Sequence, residues 1–556
     1  MAAPQWTLGL GGSDHDFSVA LMRGEDLLVA IEQERLTRTK NGLSVWYKEP
    51  FAEAIDYCLD AAGIQLDDVA HIVASDTIPA RSRAALADRG LTLFSHHLCH
   101  AASAYLMMPA GITAAILVYD GYGSIVSGRT VRPKRPARET FSFYLFSAEG
   151  VRCLGQTVGE SYAEEDDFPI GISNSIGMLY EVVTSVLGYG SMESGKTMGL
   201  AAHGKPSFAE DIRQFITLGD DPNDCFRCPT DRCEIASCLE ALLHEGRGSF
   251  ATKADIAASA QHIVEQVLHH CAALLPTETV DCIGISGGCG LNSVANAALA
   301  SRLAPMPTVI PPHCGDAGLG LGALWLHARQ RSGRQPRLTF RGQECAPGLA
   351  RPGRSYSVDE CARAVRDFYP RLWLDVAGMS PAALATEISQ GAVIGLFSGG
   401  SEMGPRALGG RSILADPRSA TTRERINRRL KDREPFRPLA PVILDSAYED
   451  WFFGPECSDR YMLKVARARE RCLREAPAVV HVDGTARVQS VGPDGDPFLL
   501  ALLSAFRDVT GVPMLLNTSF NRRGEPIVET PADAIDAFLG LGLDGLYLDG
   551  NLHRAA

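Results

Sequence analysis

Three apolar runs in this chain stop abruptly at glycine or aspartate: WTLGLGG (residues 6–12), AAILVYDGYG (114–123) and CIGISGGCGLN (282–292). Each has the length of one buried strand, and glycine lets the backbone turn at the strand end through conformations that other residues avoid. Stretches with helical spacing stand between them. ADIAASAQHIVEQVLHHCAALL (254–275) is one, and it leads into the third glycine-ended strand. DLLVAIEQERLT (26–37) and HIVASD (71–76) read as further strands. Alternation of this kind predicts an α/β fold. The first run continues as LGLGGSDHDFSVALMRGEDLLVAIEQERLTR, a β-hairpin pattern whose turn brings Gly11, Gly12, Ser13 and His15 to a strand end.

A chain of 556 residues exceeds one hydrophobic core, so two or three domains are expected. The boundary is placed where ARQRSGRQPRLTFRGQECAPGLARPGR (328–354) loses any period and fills with Arg, Gly and Pro. This gives domains at 1–335 and 355–556; after the linker a helix pattern, SPAALATEISQG, and a strand, AVIGLFSGG, begin again. No repeat of 20 to 50 residues is apparent. A formal net charge of −13 argues against a nucleic-acid partner. No run reaches the roughly eighteen apolar residues of a membrane span, and the start has no basic, apolar leader, so a cytoplasmic protein without a membrane partner is expected. The fifteen cysteines are scattered, as reduced buried thiols would be. Cys225, Cys228 and Cys233 in CFRCPTDRC leave a structural zinc open beside that reading. The sequence does not decide oligomeric state, and a homodimer stays open.

SHHLCHAAS (95–103) spends three of fourteen histidines in five positions. On a helix His96 and His100 share a face and His97 points elsewhere. That spacing suits a metal, and equally a helix start whose imidazoles bond backbone carbonyls. Glycine turns around Gly12, around Asp120, Gly121 and Gly123, and around Gly287, Gly288, Gly290 and Asn292 can bring backbone N–H groups against phosphates. A fourth turn, CGDAGLGLGAL, sets Asp316 ahead of a helix. Together they suggest an actin-like ATPase architecture with nucleotide between two lobes. Asp120 and Asp316 then become partners that would complete a two-His, two-carboxylate site.

The second half concentrates cations. SGGSEMGPRALGGRSILADPR (398–418) sets Arg406, Arg411 and Arg418 among glycines, and LKDREPFRPLAP adds Lys431, Arg433 and Arg437. Arg487 lies in HVDGTARVQSV, and Asn517, Ser519 and Asn521 in LLNTSFNRRGEPIVETP. A solvated charge run would mix signs along a helix face, whereas these arginines are embedded among Gly, Pro and apolar residues. Arginine forks beside glycine turns suit polyphosphate or carbamoyl phosphate.

These motifs, with EQERLTRTKNG, SGKTMGLAAHGKP and KDREPFRP, recur in order along nearly the whole chain, which resembles the O-carbamoyltransferases of natural-product biosynthesis. The resemblance implies an N-terminal Kae1-like domain of actin-like ATPase fold and a C-terminal YrdC-like α/β domain. It implies ATP with Mg²⁺ and carbamoyl phosphate as cosubstrates, a carbamoyl adenylate as intermediate, and a hydroxylated small molecule such as an antibiotic or sugar as acceptor. It further implies iron, as Fe²⁺, on His96, His100, Asp120 and Asp316, and His15 as the transfer-site histidine. Lys431, Arg437 and Arg487 would act in adenylation. Gly12, Gly121, Lys196, Gly287, Gly288, Asn292, Arg406, Arg411, Arg433, Asn517, Ser519 and Asn521 would hold nucleotide or anion. His203 stands where the family usually has tyrosine, and Cys289 where a small aliphatic residue is common. His97 is left between a role beside the ligands and packing. An imidazole titrates near neutral pH, so His15 suits a general base for the acceptor hydroxyl. The alternative reading, an actin-like small-molecule kinase, leaves the arginine-rich half without a use.

Overall fold

The computed structural model describes residues 4–13, 15–42, 51–127, 135–165, 168–229, 232–454 and 459–556. The first hairpin forms as the alternation predicts: Trp6–Gly11 pairs antiparallel with Ser18–Arg23, which pairs antiparallel with Asp26–Glu32. Val69–Ser75 then lies parallel to Trp6–Gly11, and Thr92–Phe94 parallel to Val69–Ser75. A second sheet repeats this order. Ala114–Tyr119, Ala137–Ser147 and Gly150–Glu165 form the antiparallel meander, and Cys282–Ser286 and Thr308–Val309 add in parallel on the other side. The repeat is one of topology over more than a hundred residues, which is why no short sequence period announces it. Two such lobes make the actin-like architecture.

The helices His96–Leu106 and Leu319–Ser332 pack on each other between the two sheets; all of the first but Leu98, and the second from Leu319 to Ala328, are buried. Gly322 permits the close crossing, since a Cβ there would strike the Cys99 carbonyl. Parallel strands present their C-terminal ends to one side. Gly12, Asp120 and Gly287 therefore emerge together, at the ends of Trp6–Gly11, Ala114–Tyr119 and Cys282–Ser286.

The C-terminal domain is a mixed eight-stranded sheet. Its centre runs Gly545–Leu548, Ile394–Phe397, Arg411–Ala415, Met514–Ser519 and Ala440–Leu444 in spatial order. Pro381–Ser389 is the expected helix, capped by Ser380. Leu384, Leu502, Phe506, Leu515 and Phe538 are among the fully buried residues of one continuous core.

Two segments depart from expectation. DLLVAIEQERLT is a strand only over Asp26–Glu32 and then turns helical over Gln33–Thr37. The cause is tertiary: Arg35 is buried, paired with Glu32 at 2.7 Å, and donates 2.6 Å to the Gly404 carbonyl of the other domain. The stretch 328–354 is no free-standing linker. Thr339–Phe340 pairs parallel with the start of Asp26–Glu32, and Leu338, Phe340, Cys345 and Leu349 join the core between the lobes. Among the described residues no helix is long and apolar enough to cross a membrane.

Candidate active site

The His96–Leu106 helix carries His96 and His100 one turn apart, so their Nε2 atoms approach to 3.1 Å. The turn after Ala114–Tyr119 sets Asp120 Oδ2 3.1 Å from His96 Nε2 and 3.3 Å from His100 Nε2. The turn before Leu319–Ser332 sets Asp316 Oδ1 3.6 and 3.5 Å from the same atoms. All four residues are buried, and one ligand atom from each lies within 4.8 Å of the rest. Ligands bound at about 2.1 Å to one ion stand roughly 3.0–3.4 Å apart, so this donor set fits a single divalent metal.

The carboxylates are held by their outer oxygens. Asp120 Oδ1 accepts from the backbone N–H of Gly121 (2.7 Å) and Gly288 (3.0 Å), and Ser13 donates its hydroxyl to Asp316 Oδ2 (2.6 Å). Each is left with one oxygen facing the histidines. Burial disfavours charge here, but hydrogen bonding and proximity to the imidazoles outweigh it. Asp120 is held well below the usual carboxylate range and Asp316 at about 2. Burial likewise opposes protonation of His100, yet its bonds to Asp120 and Asp316 raise it to about 9.

His97 takes no part in this set. Its Nδ1 lies 2.7 Å from Ser142 Oγ, and burial with the neighbouring His96 pushes it well below the ordinary histidine range. Its backbone N–H donates to Glu139, which also accepts from the Ser95 hydroxyl and from the Ser124 N–H. A buried carboxylate at the helix start thus supplies the cap and the favourable charge. Sequence reasoning missed Glu139, since a single acid in the middle of a strand carries no local signal.

His15 lies on the first turn, 22% exposed, with Nδ1 3.2 Å from Asp16 Oδ2, and its charge helps to lower Asp316. It therefore borders the four-residue centre and keeps contact with solvent. Gly12 has φ 133°, and its carbonyl accepts 3.0 Å from the Thr77 hydroxyl. Gly287 has φ 94°, where a Cβ would strike the Tyr119 carbonyl. Asn292 caps the Ser293–Leu303 helix and exchanges two hydrogen bonds with Gln261, which occupies its side chain. Lys196 is at the domain junction, ion-paired with Glu193 and, at 3.3 Å, with Glu434. Cys289 is half-buried on the Gly288–Leu291 turn, and His203 packs edge-on to Phe250 and Phe436.

The second centre belongs to the C-terminal domain. Lys431 is buried, and its Nζ donates to the Ser519 carbonyl (2.6 Å), the Ser519 hydroxyl (3.1 Å) and Asn521 Oδ1 (2.8 Å). These are neutral acceptors. Burial and then the cations Arg433 and Arg437 push its ammonium well below the ordinary lysine range. Burial lowers Arg433 to about 9 and Arg406 to about 10, and it depresses Arg437 and Arg487 too, with repulsion from neighbouring arginines adding to all but Arg437. Arg406 Nε, Arg433 Nη2 and Arg487 Nε are buried without a hydrogen-bond partner among the described residues. The nearby acids are engaged elsewhere: Glu193 and Glu434 with Lys196, and Asp459 with the backbone N–H groups of Tyr461, Leu463 and Lys464. Arg406 also donates 3.3 Å to the Leu291 carbonyl, so this cluster faces the glycine turn of the neighbouring lobe.

Two expected groups do not join it. Arg411 stacks 3.6 Å over Phe397 and donates to the Gly399 and Gly410 carbonyls. It heads a central strand whose alternation turns it away, and it is a packing residue there. Arg418 pairs with Asp416. Asn517 reaches only the edge of the cluster, bonded to Gln489 and the Ala407 carbonyl. Cys225, Cys228 and Cys233 do not converge either: Cys225 Sγ meets Cys271 Sγ at 3.6 Å, Cys228 is buried apart, and Cys233 is exposed. Among the described residues the only metal-competent group is that of His96, His100, Asp120 and Asp316. In the stretches TVRPKRPARET and GESYAEEDDFP, residues 130–134 and 166–167 lie outside the described residues.

A buried histidine–carboxylate centre in paired lobes, facing a buried cationic centre in an adjoining α/β domain, defines a two-domain group-transfer enzyme. The chain belongs to the carbamoyltransferase family: residues 7–88 and 82–325 match the family model described as Carbamoyltransferase N-terminus, and residues 385–554 the model described as Carbamoyltransferase C-terminus. It is 32% identical to the nodulation protein NolNO of Sinorhizobium fredii over 578 residues, covering 97% of this chain and 78% of the relative. Nodulation protein NolO of Bradyrhizobium diazoefficiens is also 32% identical, over 83% of this chain and 78% of its own. Full-length HypF in its phosphate- and nucleotide-bound form overlaps 59% of this chain and 56% of its own at 12% identity, with a TM-score of 0.37. The protein is a carbamoyltransferase.

Proposed function

We propose that the enzyme makes carbamoyl adenylate in the C-terminal domain and transfers its carbamoyl group, in the N-terminal lobes, to a hydroxyl of a small molecule. The observation that carries this reading is the buried cluster of Lys431, Arg406, Arg433, Arg437 and Arg487, in which three guanidinium nitrogens have no hydrogen-bond partner among the described residues. Burying unpaired guanidinium nitrogens costs several kcal/mol unless an anion arrives to accept their hydrogen bonds. Carbamoyl phosphate and the triphosphate of ATP supply such anions. Water cleaves carbamoyl phosphate to carbamate and phosphate; a carbamate oxygen then attacks the α-phosphorus of ATP, and pyrophosphate leaves. Lys431 and the arginines are placed to neutralise charge on the phosphates as these bonds change.

Transfer requires the acceptor oxygen to lose its proton and displace AMP. Contact with solvent, the bond to Asp16 and the position beside the four-residue centre support His15 in that task. A divalent ion on His96, His100, Asp120 and Asp316 would supply positive charge to a phosphate or carbamoyl oxygen there, with iron implied by the family resemblance. The Arg406 contact to Leu291 brings the cation cluster against the lobes, which favours a sheltered passage for an adenylate prone to hydrolysis. Pyrophosphate release from ATP that requires carbamoyl phosphate tests the first half. Mass spectrometry of a panel of hydroxylated antibiotics and sugars incubated with both cosubstrates tests the second. Release of ADP in place of pyrophosphate would favour the kinase alternative and end this reading.

A further inference from the structure

We infer that Thr77, which follows the Val69–Ser75 strand, is a positioning residue that locks His96 in the tautomer able to bind the metal; this rests on the proposed metal site. A carbonyl can only accept a hydrogen bond, so the contact from Thr77 Oγ1 to the Gly12 carbonyl at 3.0 Å uses the single hydroxyl proton of Thr77. What remains on that oxygen is lone pairs. His96 Nδ1 lies 2.8 Å from it and must therefore carry the hydrogen. A neutral imidazole has one N–H, so the lone pair is on Nε2. That atom is the one 3.1 Å from Asp120 Oδ2 and 3.6 Å from Asp316 Oδ1. The Ser75 hydroxyl, 2.8 Å from Thr77 Oγ1, supplies a further donor to the same oxygen.

The arrangement singles out one histidine. His100 Nδ1 is buried with no hydrogen-bond partner among the described residues, so nothing equivalent fixes its ring. Thr77 also ties the metal centre to the first turn, because Gly12 is followed by Ser13, whose hydroxyl holds Asp316. One threonine thus orients a ligand and anchors the turn that carries His15. Such outer partners commonly change metal affinity by about tenfold to a hundredfold.

The test titrates the metal-free full-length protein with Co²⁺, following visible absorption for both affinity and ligand geometry. Thr77→Val should bind Co²⁺ about ten- to a hundredfold more weakly, with an altered spectrum. Thr77→Ser keeps the hydroxyl and should match the natural protein. Ser75→Ala removes the outer donor and the long 3.4 Å contact from the Thr77 N–H, but leaves the bonds to Gly12 and His96, and should leave the spectrum unchanged. A residue of merely structural value would lower the melting temperature of the metal-free form without changing affinity or spectrum. If Thr77→Val does not fold, Thr77→Ala carries the same expectation. Natural affinity in a folded Val or Ala variant overturns the inference, as does a Ser variant as weak as the Val variant. If Co²⁺ binds the natural protein and the His100→Ala variant alike, the metal site is elsewhere, and the inference fails together with the reading beneath it.

Discussion

In the N-terminal lobes His96 and His100 face Asp120 and Asp316, so each imidazole has a carboxylate within 3.6 Å. In the C-terminal domain Lys431 is crowded by arginines, and the acids within reach are paired elsewhere. Both centres are buried, and the acids of one and the cations of the other are all shifted downward, with opposite consequences for charge. The acids of the first are stabilised in their charged form, with Asp316 at about 2, while the cations of the second are pushed toward neutrality, with Arg433 at about 9. The first centre balances its own charge and would exchange protons for a cation. The second is incomplete until an anion arrives. The contrast supports a division of labour in which charge-rich cosubstrates enter the C-terminal domain.

The comparison breaks most visibly at His15. His15→Asn removes the proposed base but keeps a polar side chain of similar size, so carbamoyl transfer should fall by roughly 10²–10⁴ while carbamoyl-phosphate-dependent pyrophosphate release continues. Rapid-quench mass spectrometry should then find the adenylate persisting. Loss of both half-reactions together would mean that the two centres are not separable. Normal transfer would remove His15 from the base role.

Lys431→Ala gives the converse. One charge-assisted contact is worth about 1.5–3 kcal/mol, so pyrophosphate release should drop about ten- to a hundredfold, measured by a coupled phosphate assay. Metal content should not change. If pyrophosphate release survives and only transfer fails, adenylation has been assigned to the wrong domain. Arg411→Lys, outside the cluster, should lower the melting temperature while leaving the apparent affinity for carbamoyl phosphate unaltered, because its guanidinium serves Phe397 and two carbonyls. His100→Ala should empty the four-residue centre by elemental analysis and lower transfer with it, while pyrophosphate release is spared.

The parts of these centres that could be read from the chain are those written in local geometry. HxxxH puts two imidazoles on one helix face whatever the fold, and a strand ending in glycine announces a turn at the sheet's C-terminal edge. Asp120 and Asp316 were legible because they sit on such turns. What escaped depends on which strand lies beside which. Glu139 caps the ligand helix from a strand more than forty residues away, and Thr77 was missed although it too follows a strand, because its turn lacks glycine. Arg406 and Arg411 look equivalent among their glycines. Only the sheet separates them, by making Arg411 the first residue of a strand over Phe397. The CxxC pattern failed for the same reason: the fold gives Cys225 a partner on a distant helix, Cys271. A linker drawn from Arg, Gly and Pro content missed that its few apolar residues, Leu338, Phe340 and Leu349, fill a core.

The smallest expected effect concerns the contact between domains on which the comparison depends. Glu34 is buried beside Arg35 and accepts from the Asn41 N–H at 2.6 Å, and the Asn41 carbonyl in turn holds the N–H of Asp16, next to His15. Burial, and then repulsion from Glu32, raise its carboxyl from the ordinary 4.5 to about 7. The folded protein therefore keeps this proton where the unfolded chain has lost it, and stability falls as pH rises from about 4.5 through 7. Integrated over that window the loss is about 3 kcal/mol at most, and neighbours that titrate with it will reduce it. Glu34→Gln keeps an acceptor for Asn41 but has no proton to lose. Urea unfolding at several pH values should give the variant a flatter stability profile than the natural protein between pH 5 and 7, with the variant gaining most at the upper end. Parallel profiles would mean that the carboxyl ionises freely and that the turn beside His15 is not tied to its protonation.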